Sequence, residues 1–209
     1  MQFDETVLVG QAREGDSEAF FRLVSLHDSR VFRLARYLTK SDADAEEVLQ
    51  RTFFQAYDRL DQIDGQLSFR RLVTEIAVDQ ASLIQSQSET KKRLPLSETI
   101  HDVDGSSAKD RHWDQTMEQL PRQTIEKILE SAIQNLELNA RKVFVLRDIE
   151  DLSIEDASRI VGLTVAAFKS SLLRARLRLR EELSRLLRQY AEMILAGTKY
   201  LDFAVPRST

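Results

Sequence analysis

Residues 42–57 read DADAEEVLQRTFFQAY, and their apolar side chains recur at helical spacing. Ala45, Val48, Leu49, Thr52, Phe53, Ala56, Tyr57 and Leu60 fall at i, i+3, i+4 and i+7, one continuous apolar stripe. Asp42, Asp44, Glu46 and Glu47 come first, where a helix N-terminus favours negative charge, and Ser41 or Asp42 can cap it. Phe54 does not belong to the stripe. At about 100° per residue it points into a polar face made by Glu47, Gln50, Arg51 and Asp58. A large aromatic among charges on the outer side of a helix reads as a docking surface. A single exposed hydrophobe, which is common, fits the spacing equally well.

Around this helix the chain reads as all-α. Two helices precede it, at 6–13 and 17–38, separated by Gly15-Asp16; Ala19, Phe20, Leu23, Val24, Val31, Leu34, Ala35 and Leu38 form the inward stripe of the second. The residues 61–68, with Asp64-Gly65, read as a loop. A fourth helix runs from 69 to about 84, with Leu72, Val73, Ile76, Ala77 and Leu83 inward. From about 85 to 123 Ser, Gln and mutually cancelling charges prevail without a sustained period, which reads as a flexible linker. Its basic cluster is Lys91, Lys92 and Arg93, and His112-Trp113 and Leu120-Pro121 stand as local anchors. Helices resume with Ile125, Ile128, Leu129, Ala132, Ile133 and Leu136 on one face. Asn139 is a candidate cap for the next, with Val143, Phe144 and Leu146 inward.

The final stretch carries a turn signature. Ser153 caps a helix over 154–161 with Asp156 three residues on, Gly162 ends it, and Thr164 caps a long helix from 165 to about 190. Helix, Gly-containing turn, capped helix is a helix-turn-helix pattern. Over 165–180 there are five basic residues (Lys169, Arg174, Arg176, Arg178, Arg180) and no acid. Phe168, Leu172, Ala175 and Leu179 face inward. Lys169, Ser170, Arg174 and Arg178 face outward, and the small Ala166, Ala167, Ser170 and Ser171 allow close approach to DNA. This segregation matters because the whole chain has a net charge of -4, against the basic balance usual for nucleic-acid binding. A solvated basic face is the alternative.

Both halves resemble the extracytoplasmic-function group of bacterial RNA polymerase sigma factors. The first half resembles the group's D-x-A-D-A-E-D-L-V-Q-E-T-F motif through Asp42, Asp44, Ala45, Glu46, Glu47, Gln50, Thr52, Phe53, Ala56 and Tyr57. The second carries Leu138, Arg141, Val143, Phe144, Leu146, Arg147, Asp148, Glu150, Leu152, Ser153, Glu155, Gly162, Val165, Lys169, Ser170, Leu172, Arg174, Ala175, Arg176, Leu179 and Arg180 of the group's helix-turn-helix run. The resemblance implies two small helical domains joined by a flexible linker. They are a core-polymerase and minus-ten domain at 1–86, a linker at 87–123, a minus-thirty-five domain at 124–190 and a tail at 191–209. It implies that Asp44, Glu46, Glu47, Gln50, Arg51 and Phe54 meet the polymerase clamp and that Arg70 and Arg71 meet the minus-ten strand. It also implies that Thr164, Ala166, Ala167, Lys169, Ser170, Ser171, Arg174, Arg176 and Arg178 meet duplex promoter DNA, with the flap as a further polymerase contact. An anti-sigma factor is the expected controlling partner.

Departures from the group's pattern cluster on DNA-facing positions. Leu72 stands for a Trp, Asp79 for an Asn, Leu83 for an Asp and Ser86 for a basic residue. Ser171 replaces an Arg and Leu173 a His, while Ala166 and Ala167 replace Gly and Thr; on the polymerase-facing helix Arg51 replaces a frequent Glu, which changes the charge of that contact. Strand capture wants basic and aromatic side chains, and Arg70, Arg71 and Lys91, Lys92 and Arg93 are those that remain. Three functions are therefore compared: a sigma factor, a sigma-like mimic that binds an anti-sigma factor without initiating, and an ordinary helix-turn-helix regulator. Enzyme readings find no support. Three scattered His (His27, His101, His112), no Cys and no Gly-rich phosphate loop offer no catalytic, metal or cofactor site. The absence of Cys suits a reducing cytosol. MQFDET lacks a signal peptide's start, and no apolar run approaches the roughly 18 residues of a membrane span, so a cytoplasmic protein without membrane insertion is expected. Nothing in the tail names a role, although Tyr200, Leu201 and Phe203 are candidates for docking.

Overall fold

In the computed structural model the described residues are 4–63, 68–91 and 121–195. The linker core at 92–120 with Lys92, Arg93, His101 and His112-Trp113, the Asp64-Gly65 turn, and the tail with Tyr200, Leu201 and Phe203 lie outside them. Among the described residues there is no strand.

The first group of helices is α1 (Glu5–Arg13), α2 (Ser17–Leu38), α3 (Asp42–Asp58) and α4 (Phe69–Lys91), with a 3-10 turn at Leu60–Gln62. Caps set the starts. Asp4 accepts from the Thr6 amide, Asp16 from those of Glu18 and Ala19, and Ser41 from that of Asp44. Gly15, at φ +92, makes the sharp turn between α1 and α2. The buried faces follow the expected stripes: Leu23, Val31, Leu34, Ala35 and Leu38 on α2, Ala45, Val48, Phe53 and Ala56 on α3, and Leu72, Val73, Ile76 and Ala77 on α4. Thr52 sits within the α3 stripe with its hydroxyl donating to the Val48 carbonyl at 2.7 Å.

Two expectations for this half need correcting, and one residue takes a place the sequence did not suggest. Leu83 is 49% exposed, and Ile84 takes the inward place instead, eight residues beyond Ile76 on the same face. Tyr57 is on the rim of the stripe, exposed but with its ring edge-on to Phe20 at 5.0 Å. His27 is buried between Glu5, at 3.3 Å, and the ring of Phe69.

The second group is α5 (Arg122–Gln134), α6 (Leu138–Phe144), α7 (Ile154–Ile160) and α8 (Val165–Leu195). Asn139 is not a cap: Glu137 holds the cap position, and Asn139 lies one residue inside the helix with its amide donating to Glu137 at 3.4 Å. α6 widens into a π turn over Val145–Ile149, closed by the Glu150 amide donating to the Val145 carbonyl at 2.9 Å. Asp151 follows at φ +53, a left-handed position that Asp tolerates better than most residues.

α7 ends as the sequence suggests. The Leu163 amide donates to the Ser158 carbonyl at 2.9 Å and the Gly162 amide to that of Arg159 at 3.2 Å, with Gly162 at φ +69. Ile128, Ile133, Val143, Leu146, Phe168, Leu172 and Ala175 fill this half's interior. The buried apolar residues of both groups form one connected cluster. Helix α2 touches α5 and α6, so the two halves meet along it.

Candidate functional site

Two outward faces and one covered face carry the chemistry. The first is the outer side of α3. Phe54 is 75% exposed, and Glu46, Glu47 and Gln50 are exposed with it. Arg51 pairs with Glu47 one turn earlier, and Asp44 is half-buried at the capped end. Phe53, the adjacent ring, is buried. A 100° step between neighbouring phenylalanines therefore puts one in the core and the other in solvent.

The second is the outer side of α8. Thr164 accepts from the Ala167 amide at 3.2 Å, fixing the first turn. Ala166, Ala167, Lys169, Ser170, Arg174 and Arg178 are exposed, and Ser171 is half-buried. Ser170 donates back to the Ala166 carbonyl at 3.1 Å. Arg174 donates to Ser171 at 3.5 Å. Arg176 is engaged differently. Its guanidinium makes two hydrogen bonds to Asp148, at 2.8 and 2.6 Å, which raise its proton affinity. Leu173, 61% exposed, and Leu177 continue the outward line through Ala166 and Ser170, so part of this outward row is apolar.

The third face is the one between the halves, and it takes up both α4 arginines. The Arg70 guanidinium donates to the Glu150 carbonyl at 2.8 Å, and Arg71 pairs with Asp156 at 3.2 Å. Arg30 of α2 donates to the Glu150 carboxylate at 2.5 Å and to the Glu150 carbonyl at 3.0 Å. Further along the seam, Arg36 pairs with Glu130 as well as with Asp42. The buried Arg141 donates to the Gln134, Leu136 and Leu38 carbonyls. Burial lowers the proton affinity of Lys142, and facing Asp79 opposes this. Asp79 itself is raised, by burial first and Glu75 second.

Arg30, Asp148 and Glu150 have roles here that sequence reading did not assign. Glu150 and Arg30 are 120 residues apart, so no local signal joins them. Among the described residues no group of three or more His, Asp or Glu could hold a metal ion, and no helix is long and apolar enough to cross a membrane.

Residues 23–81 match the family model of sigma-70 region 2, and residues 126–179 that of sigma-70, region 4. The chain is 28% identical over 180 residues to the extracytoplasmic-function RNA polymerase sigma-E factor of Haemophilus influenzae, covering 84% of this chain and 93% of that one. Its fold is similar to that of CnrH in complex with the cytosolic domain of CnrY, with a TM-score of 0.59 and 23% identity over 87% of this chain and 97% of CnrH. It is also similar to the sigma factor RpoE in complex with the anti-sigma factor NepR from Bartonella quintana. There the TM-score is 0.57 and the identity 21%, over 79% of this chain and 96% of RpoE.

Proposed function

The chain belongs to the extracytoplasmic-function group of the sigma-70 family, and from that premise we propose how its surfaces divide the work. It is an alternative sigma factor that binds core RNA polymerase and directs promoter-specific initiation of transcription. The outer face of α3, through Asp44, Glu46, Glu47, Gln50, Arg51 and Phe54, holds the clamp of the core enzyme. The start of α8, through Thr164, Ala166, Ala167, Lys169, Ser170, Ser171, Arg174 and Arg178, enters the upstream promoter element, with Arg176 reaching phosphate when it leaves Asp148. Arg70 and Arg71 serve the melted minus-ten strand. The working units are 1–86 and 124–190, with 87–123 as tether and 191–209 as tail.

The protein works in the cytoplasm and does no catalysis itself. Its contribution is to place DNA, and bond formation belongs to the polymerase. An anti-sigma factor controls it, a reading supported by the complex of the similarly folded RpoE with NepR.

The observation that carries this reading is the exposure of Phe54 on a polar helix face inside the region 2 match. Run-off transcription with purified core polymerase over a pool of genomic templates tests it, and promoter-dependent transcripts are expected. The second reading, a mimic that holds an anti-sigma factor without initiating, draws on the engagement of Arg70 and Arg71 with the other half. It requires tight anti-sigma binding with no transcript from any template in that pool.

A further inference from the structure

We propose that Glu150 is an internal stand-in for a nucleic-acid phosphate: Arg30 and Arg70 build an anion site that Glu150 fills, and single-stranded DNA must displace it. This rests on the assignment of Arg70 to the minus-ten strand made above.

Donors from two helices converge on one residue. Arg30 reaches the Glu150 carboxylate at 2.5 Å and its carbonyl at 3.0 Å, and Arg70 reaches the same carbonyl at 2.8 Å. The π turn makes this possible. It brings the last amide of the widened helix back to Val145, so the Glu150 carbonyl at the helix end points out of the ladder. A helix C-terminus is its negative end. The arginines therefore meet a carboxylate and a partial negative charge together, as they would meet the oxygens of a phosphodiester.

The fit is imperfect in a telling way. Glu150 is 1% exposed, yet its second carboxylate oxygen is buried with no hydrogen-bond partner, and so are the Nε groups of Arg70 and Arg71. A buried charge with unmet hydrogen bonds is costly, and a buried ion pair is poor cement. The arginines offer more donors here than Glu150 uses. Arg30 also stands close to Arg70: the proton affinity of Arg70 is lowered by burial first and by Arg30 second. Two neighbouring cations with spare donors want an anion richer in oxygens than one side chain supplies. Arg71, paired with Asp156 at 3.2 Å, extends the same strip along α4. While Glu150 is seated, the strand-binding face and the C-terminal half exclude other occupants from it.

The test is fluorescence anisotropy of the full chain with a labelled single-stranded DNA oligonucleotide of mixed sequence, with thermal melts alongside. Glu150→Gln keeps the side chain's shape and removes its charge. It is expected to tighten binding about tenfold, because the binding-competent state is no longer taxed by the internal ligand. Adding Arg70→Ala is expected to abolish that gain. If Glu150→Gln melts below the assay temperature, Asp156→Asn frees Arg71 and is expected to tighten binding by a smaller factor. Binding within about twofold of wild type for whichever variant is folded overturns the proposal.

The parent reading is scored separately. Arg70→Ala in reconstituted holoenzyme is expected to reduce open-complex formation. A loss there with no gain from Glu150→Gln sinks the internal ligand alone, whereas no loss there sinks the strand assignment as well.

Discussion

Phe54→Ala and Phe53→Ala alter neighbouring residues of the same type and are expected to fail in opposite ways. A phenylalanine side chain buries about 150–250 Å² when fully covered. With Phe54 75% exposed, roughly 150 Å² remain for a partner to cover, or up to about 4 kcal/mol at ~25 cal/mol per Å². Ordering of side chains at the new contact offsets part of this, leaving about 2–3 kcal/mol, the size of an interface anchor. Phe54→Ala should therefore weaken core-polymerase binding by roughly 30- to 150-fold. It should leave the melting temperature unchanged or slightly higher, since an exposed alanine favours the helix.

Phe53 is 9% exposed and packs inward. Its truncation should cost about 3–5 kcal/mol of stability, lowering the melting temperature by about 6–20 °C for a chain of this size. The assays are biolayer interferometry against purified core enzyme and circular-dichroism melts of the same preparations. If Phe54→Ala bound core within about twofold of wild type, the polymerase face would have to be sought off this part of α3. A large loss of stability in that variant would refute the exposure on which the reasoning rests.

Gly162→Val places a β-branched residue at φ +69; it should cost about 1–2 kcal/mol and weaken duplex binding through the displaced start of α8, read by melts and by electrophoretic mobility shift. Lys169→Ala should weaken binding of promoter duplex about equally for all sequences and reduce the slope of log K against log salt by about 1. For His27, burial first holds the imidazole below its ordinary 6.5, with Glu5 opposing and Arg30 and Arg70 assisting. The native state then prefers the neutral ring, so stability is full above 6.5 and falls as the pH drops through and below it. Replacing it by Gln should flatten that part of a stability-against-pH curve measured by urea melts.

Legibility in the sequence followed the range of the interaction. The α3 stripe apart from Tyr57, the Ser41, Ser153 and Thr164 caps and the Gly162 turn are set by residues within one or two turns of each other, and they stand as the local pattern suggests. Leu83 and Ile84 are both apolar, so the local pattern does not choose between them. Only the packing of α4 decides between them, and Ile84 continues the Ile76 row. Asn139 has a capping side chain, but the ladder starts earlier, with the Arg141 amide already bonded to the Glu137 carbonyl at 2.8 Å. The meeting of the halves was not legible at all. Arg30, Arg70 and Glu150 each sit in unremarkable local contexts, and 120 residues separate the first from the last.

The same long-range contacts explain how a chain with a net charge of -4 serves a nucleic acid. Its acids are not spread evenly over the fold. Asp42, Asp44, Glu46 and Glu47 gather at the start of α3, where the helix dipole stabilises them and where they repel a phosphate backbone. On the proposed division of surfaces, duplex DNA would be steered away from the face that carries Phe54 and toward α8, whose first four turns hold no acid. Glu150, Asp156 and Glu130 face arginines across the seam, where they cancel positive charge that would otherwise attract DNA indiscriminately. Net charge is thus a poor guide here, because part of the acid content is spent against the chain's own cations. Opening the seam would change the electrostatic character of the molecule without altering a single residue. The apparent deficit of basic surface around α4 is then a property of the closed arrangement, and single-stranded affinity should rise whenever the halves part.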